Sequence, residues 1–293
     1  MIFVIDLEKK RIQKHFDLKA GCYESSAVLQ REVCDRMLAR LCWLKIRPEM
    51  ILDAGAGTGR GTKGLMAYYK SSKVVAMDLS LSMLQQTKRK SGLFRKPGLL
   101  CADAEQLPFL DASFDMVFSN LMLQWCDPKK VFEESLRILK PGGLLMFSTF
   151  GPDTLKELRH SWSKVDESIH VNDFIDMHDL GDDLLSTGFA EPVMDMDMMT
   201  LTYDDVMSVM TDLKAIGANT PVKNNMRGLL TPGKLQRVIA QYESFRKDNC
   251  LPASFEIIYG HAWKTDKKNT QTGDEIRVPF ESIDFIKSKK NNI

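Results

Sequence analysis

Three aspartates stand behind apolar runs in the first half of the chain: Asp53 in MILDAG (50–55), Asp78 in KVVAMDLS (73–80) and Asp103 in CADAEQLPF (101–109). The stretch ILDAGAGTGRG (51–61) also sets Gly55, Gly57 and Gly59 directly after the first run. Glycines at a strand–helix junction let backbone approach a ligand closely. A phosphate-cradling loop would need GxxxxGK followed by Ser or Thr, whereas Lys63 is preceded by Thr62 and followed by Gly64. The dinucleotide pattern GxGxxG occurs as Gly59, Gly61 and Gly64, but it begins too late, inside the expected helix. An acid such as Asp53 disfavours a pyrophosphate and suits a cation, for example a sulfonium carrying an amino-acid ammonium. Asp78, about twenty residues further on, is placed to bind both hydroxyls of a ribose. Asp103 is placed to accept from an exocyclic adenine amine. The ligand that fits all three is a nucleoside cation without phosphate.

The remaining reactive residues are scattered. Five histidines (His15, His160, His170, His178, His261) offer no obvious base beside the glycines. An acceptor that is already ionised at neutral pH, such as a carboxylate, needs none. The six cysteines form no CxxC pair and have no histidine at ligand spacing, so neither a metal nor a disulfide framework is expected. Such thiols suit a reducing, cytoplasmic setting. A formal net charge of +1 over 293 residues gives no electrostatic footprint for nucleic acid. The opening MIFVIDLEKKRIQKHF is too short in its apolar part for a signal peptide, and no run of about 18 apolar residues suggests a membrane span.

Elements that could position the acids follow from the pattern. Continuous apolar runs at 50–55, 73–80, 114–120 and 142–150, the last entered through a Lys140–Gly143 turn, read as buried strands. Helical patterns at 80–90 and 128–140 lie between them, the latter with Val131, Phe132, Leu136 and Leu139 near 3.6 spacing. The expected fold is therefore α/β, a mostly parallel sheet covered on both faces, with all three acids on its carboxyl edge. The second half supplies helices at 153–167, 203–218 and 231–249, the last capped by Thr231 before Pro232. Strand candidates at 191–203 and 255–264 complete the sheet. This predicts one domain over 1–264, helical insertions at about 151–178 and 203–250, and a polar tail over 265–293.

LDAGAGTG, AMDLS, ADAEQLPF, FDMVFSNLMLQW and LKPGG, in this order over roughly 45–150, resemble the class I S-adenosylmethionine-dependent methyltransferases. That resemblance implies a Rossmann-like seven-stranded sheet and adenosylmethionine as cofactor. Asp53, Gly55, Gly57 and Gly59 would surround its methionine part. Asp78 and Leu79 would take the ribose, Asp103 and Ala104 the adenine, and Asn120 would start the loop beneath the methyl group.

The rest of the chain narrows the family. HFDLKAGCYESSAVLQREV, SNLMLQWCDP, the stretch from TFGPDTLKELRHSW to LGDDL, TLTYDDVMSVMTDLKAIGAN and LPASFEIIYGHAWK resemble the malonyl-acyl-carrier-protein O-methyltransferases of biotin synthesis. The resemblance implies methylation of the free carboxylate of a malonyl thioester, on acyl carrier protein or coenzyme A. Esterification would hide a charge that is costly to bury during later chain extension. Tyr23 is a candidate for the acceptor pocket and Arg159 for steering the carboxylate by a charge-assisted bond. Carrier proteins of this type are acidic, so Lys214, Lys223, Arg227, Lys234 and Arg237 are the candidate docking patch. Two alternatives share the frame: another small-molecule methyltransferase, or a non-methylating respiratory-complex assembly factor, which has FGPDTLKELR-like and AWK-like stretches.

Overall fold

Seven apolar segments pair into one sheet, and their order decides where a ligand can sit. The computed structural model describes residues 7–92, 95–168, 170–215 and 231–265. The strands are β1 (Met50–Ala54), β2 (Lys73–Asp78), β3 (Gly98–Cys101), β4 (Phe114–Asn120), β5 (Leu139–Phe150), β6 (Ala190–Tyr203) and β7 (Leu251–Trp263), in spatial order β3-β2-β1-β4-β5-β7-β6. The first five run parallel, and β7 is antiparallel to both of its neighbours. Strand order reverses between β1 and β4. In such sheets the crevice at the carboxyl ends beside that reversal is open to ligands.

Helices cover both faces: α1 (Leu7–Lys19), α2 (Tyr23–Ser26), α3 (Val28–Arg40), α4 (Arg60–Tyr68), α5 (Leu81–Lys90), α6 (Pro128–Ile138), α7 (Lys156–Ser163), α8 (Met177–Thr187), α9 (Val206–Ala215) and α10 (Pro232–Glu243). Their starts follow the capping chemistry. Ser80 accepts from the Met83 amide, Asp127 from Lys129, and Thr231 from Lys234 ahead of Pro232. The Ser80 cap is why β2 stops at Asp78.

Alternation along the strands feeds two cores. Ile51, Met116, Phe118 and Met146 face one, with Val33 and Met37 of α3 and Tyr242 of α10. Leu52, Val117, Leu145 and Phe147 face the other, with Phe132 of α6 and Leu180 and Leu184 of α8.

The boundaries differ from the sequence reading in several places: the helix read over 231–249 ends at Glu243, and the strand read from 255 begins at Leu251. The helix read over 128–140 ends at Ile138, and Leu139 already pairs with Phe114. The Lys140–Gly143 turn is thus a kink within β5, with Gly142 at φ +75° and a register shift opposite it. The helix read from 203 starts at Val206, because Tyr203 pairs with Leu251. The helix read over 153–167 is only Lys156–Ser163, because the segment before it is tied to β7. There the Asp153 amide donates to Glu256 Oε2 at 2.7 Å, and buried Glu157 accepts from the Ser254 amide at 3.1 Å and from its hydroxyl. The insertion reading over 203–250 is described except at 216–230, and the tail from 266 lies outside the described residues. No helix among the described residues is long and apolar enough to cross a membrane.

Phe132 is fully buried against Phe147, with ring centroids 5.4 Å apart. Phe132→Ala removes that packing from the helix–sheet interface. Urea denaturation should show a loss of about 3–5 kcal/mol in unfolding free energy with the slope unchanged.

Candidate cofactor and acceptor site

The turn after β1 is shaped by backbone that only glycine tolerates. Gly55, Gly57 and Gly59 have φ of +76°, +54° and +88°. A Cβ at Gly55 would also lie 2.4 Å from the Met122 side chain, so this position is closed to any larger residue. At Gly57 the same direction is open space, so the loop presents bare backbone to the crevice. The Gly55 and Ala56 amides both donate to the Met77 carbonyl, at 2.8 and 2.9 Å, locking the loop to the end of β2.

Asp78 completes that lock. One carboxylate oxygen accepts from the Gly57 amide and the other from the Ser80 amide, each at 2.8 Å. Burial pushes its proton affinity up to about 6, with the two amides working in the opposite direction. Asp53 lies deeper, accepting from the Thr62 hydroxyl at 2.6 Å. Burial is the main cause that raises it to about 7, and the Asp78 charge adds to it. Two desolvated acids facing one crevice are a standing demand for a cation and for hydroxyl donors.

The crevice is lined by Asp78, Leu79, Asp103, Ala104, Asn120, Gly55, Gly57 and Tyr23, and an adjoining part reaches Asp53, Gly55, Gly57, Tyr23 and Asn120. Of the sequence-derived residues, Gly59 lines neither part: it caps α4, where a Cβ would strike Thr87 at 2.8 Å. Arg159 also lies outside that lining. Its guanidinium donates to the Pro152 carbonyl at 2.6 Å and the Asn172 carbonyl at 3.2 Å, while its buried Nε has no partner. None of the five histidines is in the lining.

The structure adds residues that the pattern of strands did not reveal. Helix α1 lies across the crevice. Lys9 pairs with both oxygens of Asp103 at 2.5 Å and with Glu105 at 2.9 Å, and these bonds raise its proton affinity against the opposing pull of burial. Gln13 donates to the Leu79 carbonyl at 2.8 Å, and Asp17 accepts from the Ser80 hydroxyl at 2.6 Å. Phe16 packs edge-on against Tyr23 and Trp125, at 6.3 and 5.5 Å between centroids. Lys9, Gln13 and Phe16 fall on one face at i, i+4, i+7, the signal by which sequence could have found them. Burial raises the Tyr23 phenol well above its usual range, so it stays a neutral O–H donor. Asn120 donates to the Gln30 carbonyl at 3.2 Å, and Gln30 Oε1 is buried without a partner. Beyond Asn120 the chain turns sharply through Leu121, at φ +48°.

Residues 52–147 match a family model described as a methyltransferase domain. Over 265 residues, 88% of this chain and 90% of the relative, the chain is 50% identical to the malonyl-acyl-carrier-protein O-methyltransferase of Methylovorus sp. (strain MP688). A relative of the same name from Gallionella capsiferriformans (strain ES-2) is 48% identical over 283 residues, 94% of this chain and 96% of that one. Among solved structures, a candidate methyltransferase of Bacillus halodurans C-125 aligns with a TM-score of 0.55 at 20% identity, covering 78% of this chain and 97% of its own. The YcgJ protein of Bacillus subtilis aligns at 0.54 and 15% identity, covering 79% and 99%. At those identities the two structures share the fold.

Two measurements probe the acids with S-adenosylhomocysteine as ligand. Asp78→Ala removes the acceptor of the Gly57 and Ser80 amides and loosens the loop, so calorimetric affinity should fall at least about tenfold. Asp53 in the free protein takes up a proton below about 7. A ligand ammonium needs it ionised, so affinity should rise between about pH 6 and about pH 8. Asp53→Asn should flatten most of that rise, leaving the smaller part due to Asp78.

Proposed function

Because this chain belongs to the malonyl-acyl-carrier-protein O-methyltransferase family, we propose that it methylates the free carboxylate of a malonyl thioester carried by acyl carrier protein. The reaction would be an early step of biotin synthesis in the cytoplasm, with S-adenosylmethionine as methyl donor. The observation that carries this reading is the extent of the likeness. It covers 88–94% of the chain, far more than the cofactor frame at 52–147. Six unpaired cysteines agree with a reducing compartment.

The fit to the cofactor rests on the chemistry of the crevice. Asp53 supplies charge for an ammonium, Asp78 for a ribose diol, and Asp103 with Ala104 an edge for adenine. Gly55 and Gly57 keep the loop low enough for close approach. When bound, the cofactor would supply an electrophilic methyl group, which an aligned nucleophile takes in line as the neutral thioether leaves. The protein's own part is alignment and exclusion of water. Phe16, Tyr23 and Trp125 form an aromatic wall across the crevice. The Tyr23 hydroxyl, held neutral, suits donation to a carboxylate and does not compete as a base. No proton has to be removed from an ionised acceptor, which agrees with a lining free of histidine. Arg159, which lies outside that lining, is the further candidate for steering the carboxylate on approach, through the Nε–H that the Pro152 and Asn172 contacts leave over.

Residues 1–264 act as one methyltransferase unit in this reading, with the 151–178 and 203–250 insertions as its cap. Of the proposed carrier-docking residues, Lys223, Arg227 and the Lys214 side chain lie outside the described residues. Lys234 is paired with Asp166 at 2.8 Å, and Arg237 is exposed.

Incubation with adenosylmethionine and either malonyl-carrier protein or malonyl-coenzyme A, followed by mass spectrometry, tests the reading. The expected product carries one added methyl group on the malonyl carboxylate. Adenosylhomocysteine formation without a malonyl thioester, or no methyl gain on either carrier, would overturn it.

A further inference from the structure

The crevice that meets the needs of a cofactor's ammonium also has to accommodate its carboxylate. Around the glycine loop the nearest acids are Asp53, Glu24 and Asp78, all of which repel a second anion. The same wall carries two guanidinium groups, Arg31 and Arg60. Arg60 is already taken: it faces Asp35 through two bonds, one of them Nε to Oδ1 at 2.9 Å. Arg31 is not. Its Nη1 donates to the Glu24 carbonyl, and it has no carboxylate within ion-pair distance among the described residues. The Glu24 carboxylate feels its field, but that group is occupied by Lys90 at 2.6 Å and by the Thr58 hydroxyl.

We propose that Arg31 binds the α-carboxylate of the cofactor's methionine part and is the positive half of a zwitterion clamp whose negative half is Asp53. This deepens the cofactor assignment above and rests on it. The fork of a guanidinium suits a carboxylate because two parallel N–H bonds fix its plane as well as its charge. Arg31 sits on α3, which packs against β4 and β5, so its Cα is set by a buried core that includes Leu29, Val33 and Met37. Its one existing bond, to the carbonyl of Glu24, also ties the helix to α2, which carries Tyr23. A single arginine therefore links recognition of the methionine carboxylate to the aromatic wall beside the methyl group.

The rival anchor is the amide cluster at the start of α4, a helix N-terminus that favours anions without any side chain. The two are separated by comparing S-adenosylhomocysteine with 5′-methylthioadenosine, which has the same nucleoside and thioether but no amino-acid head. In calorimetric titrations, Arg31→Gln should lose roughly tenfold to a hundredfold in affinity for adenosylhomocysteine. Its affinity for methylthioadenosine should stay within about twofold of the parent protein's. Arg31→Lys, which keeps the charge but not the fork, should fall between them, and it carries the comparison if the Gln variant does not fold. Unchanged affinity for adenosylhomocysteine would assign the carboxylate to the α4 amides and overturn the proposal. Equal losses for both ligands would overturn it too, by making Arg31 a brace for α2 alone. If the unaltered protein bound neither ligand, the cofactor assignment itself would fall, and this proposal with it.

Discussion

Asp78 is the residue on which the cofactor crevice is built, because it holds the glycine loop in shape while it is kept from water. Its two oxygens take the Gly57 and Ser80 amides, so one carboxylate fixes both the turn after β1 and the cap of α5. Those amides belong to two different junctions, β1 to α4 and β2 to α5, and without the acceptor between them both would be unpaired. The arrangement is costly: burial lifts Asp78 to about 6 and Asp53 to about 7. Folding tolerates this because the two acids stand at the carboxyl ends of β1 and β2, beside the reversal of strand order, where the crevice stays open. Free of ligand, the site loses stability as the pH rises towards these values, since the folded state binds protons more tightly than the unfolded chain. A bound cation reverses that penalty.

The cover over the crevice is made differently. Helix α1 is held by the Lys9 pair with Asp103, by Gln13 on the Leu79 carbonyl and by Asp17 on Ser80. Within that helix only Ile12 is buried among the apolar residues whose burial is described. Each such polar bond contributes about 0.5–1.5 kcal/mol, and somewhat more where a charge takes part. The cover is thus fastened mainly by part-buried polar bonds, whereas the loop beneath it is continuous with packed strands and with the buried Thr62–Asp53 bond. That division suits a ligand that must be exchanged at every turnover over a frame that must not move.

The cofactor half of the site was legible in the sequence because it is local. Asp53 and the three glycines are contiguous, and Asp78 and Asp103 each follow a short apolar run. Their common edge is then dictated by parallel pairing. The cap Thr231 was legible for the same reason. What stayed hidden depends on pairings far apart in the chain. Lys9 meets Asp103 across 94 positions, and the Asp153 amide meets Glu256 across 103. That second contact, with Glu157 on Ser254, shortens α7 and fixes Arg159 over the Pro152 carbonyl, outside the crevice lining. Arg31 was hidden for a different reason. On α3 it looks like any solvated helix charge until Arg60 and Lys90 are seen to have found other partners.

The charge balance of the reaction explains why such a dry, aromatic crevice suits it. When a carboxylate displaces a sulfide from a sulfonium, one negative and one positive charge vanish together, leaving an ester and a thioether. Opposed charges are well solvated in water, so removing water raises the starting side relative to a transition state in which both charges are already fading. Phe16, Tyr23 and Trp125 supply that exclusion, and a neutral phenol at Tyr23 adds no charge of its own. The remaining fixed charges serve binding, not chemistry, in the proposed reading: Asp53 is the group offered to the ammonium, and Asp103 with Lys9 is already neutral as a pair. Glu24, another acid at the glycine loop, is paired with Lys90 and with the Thr58 hydroxyl, which lowers the repulsion that an approaching anion meets there.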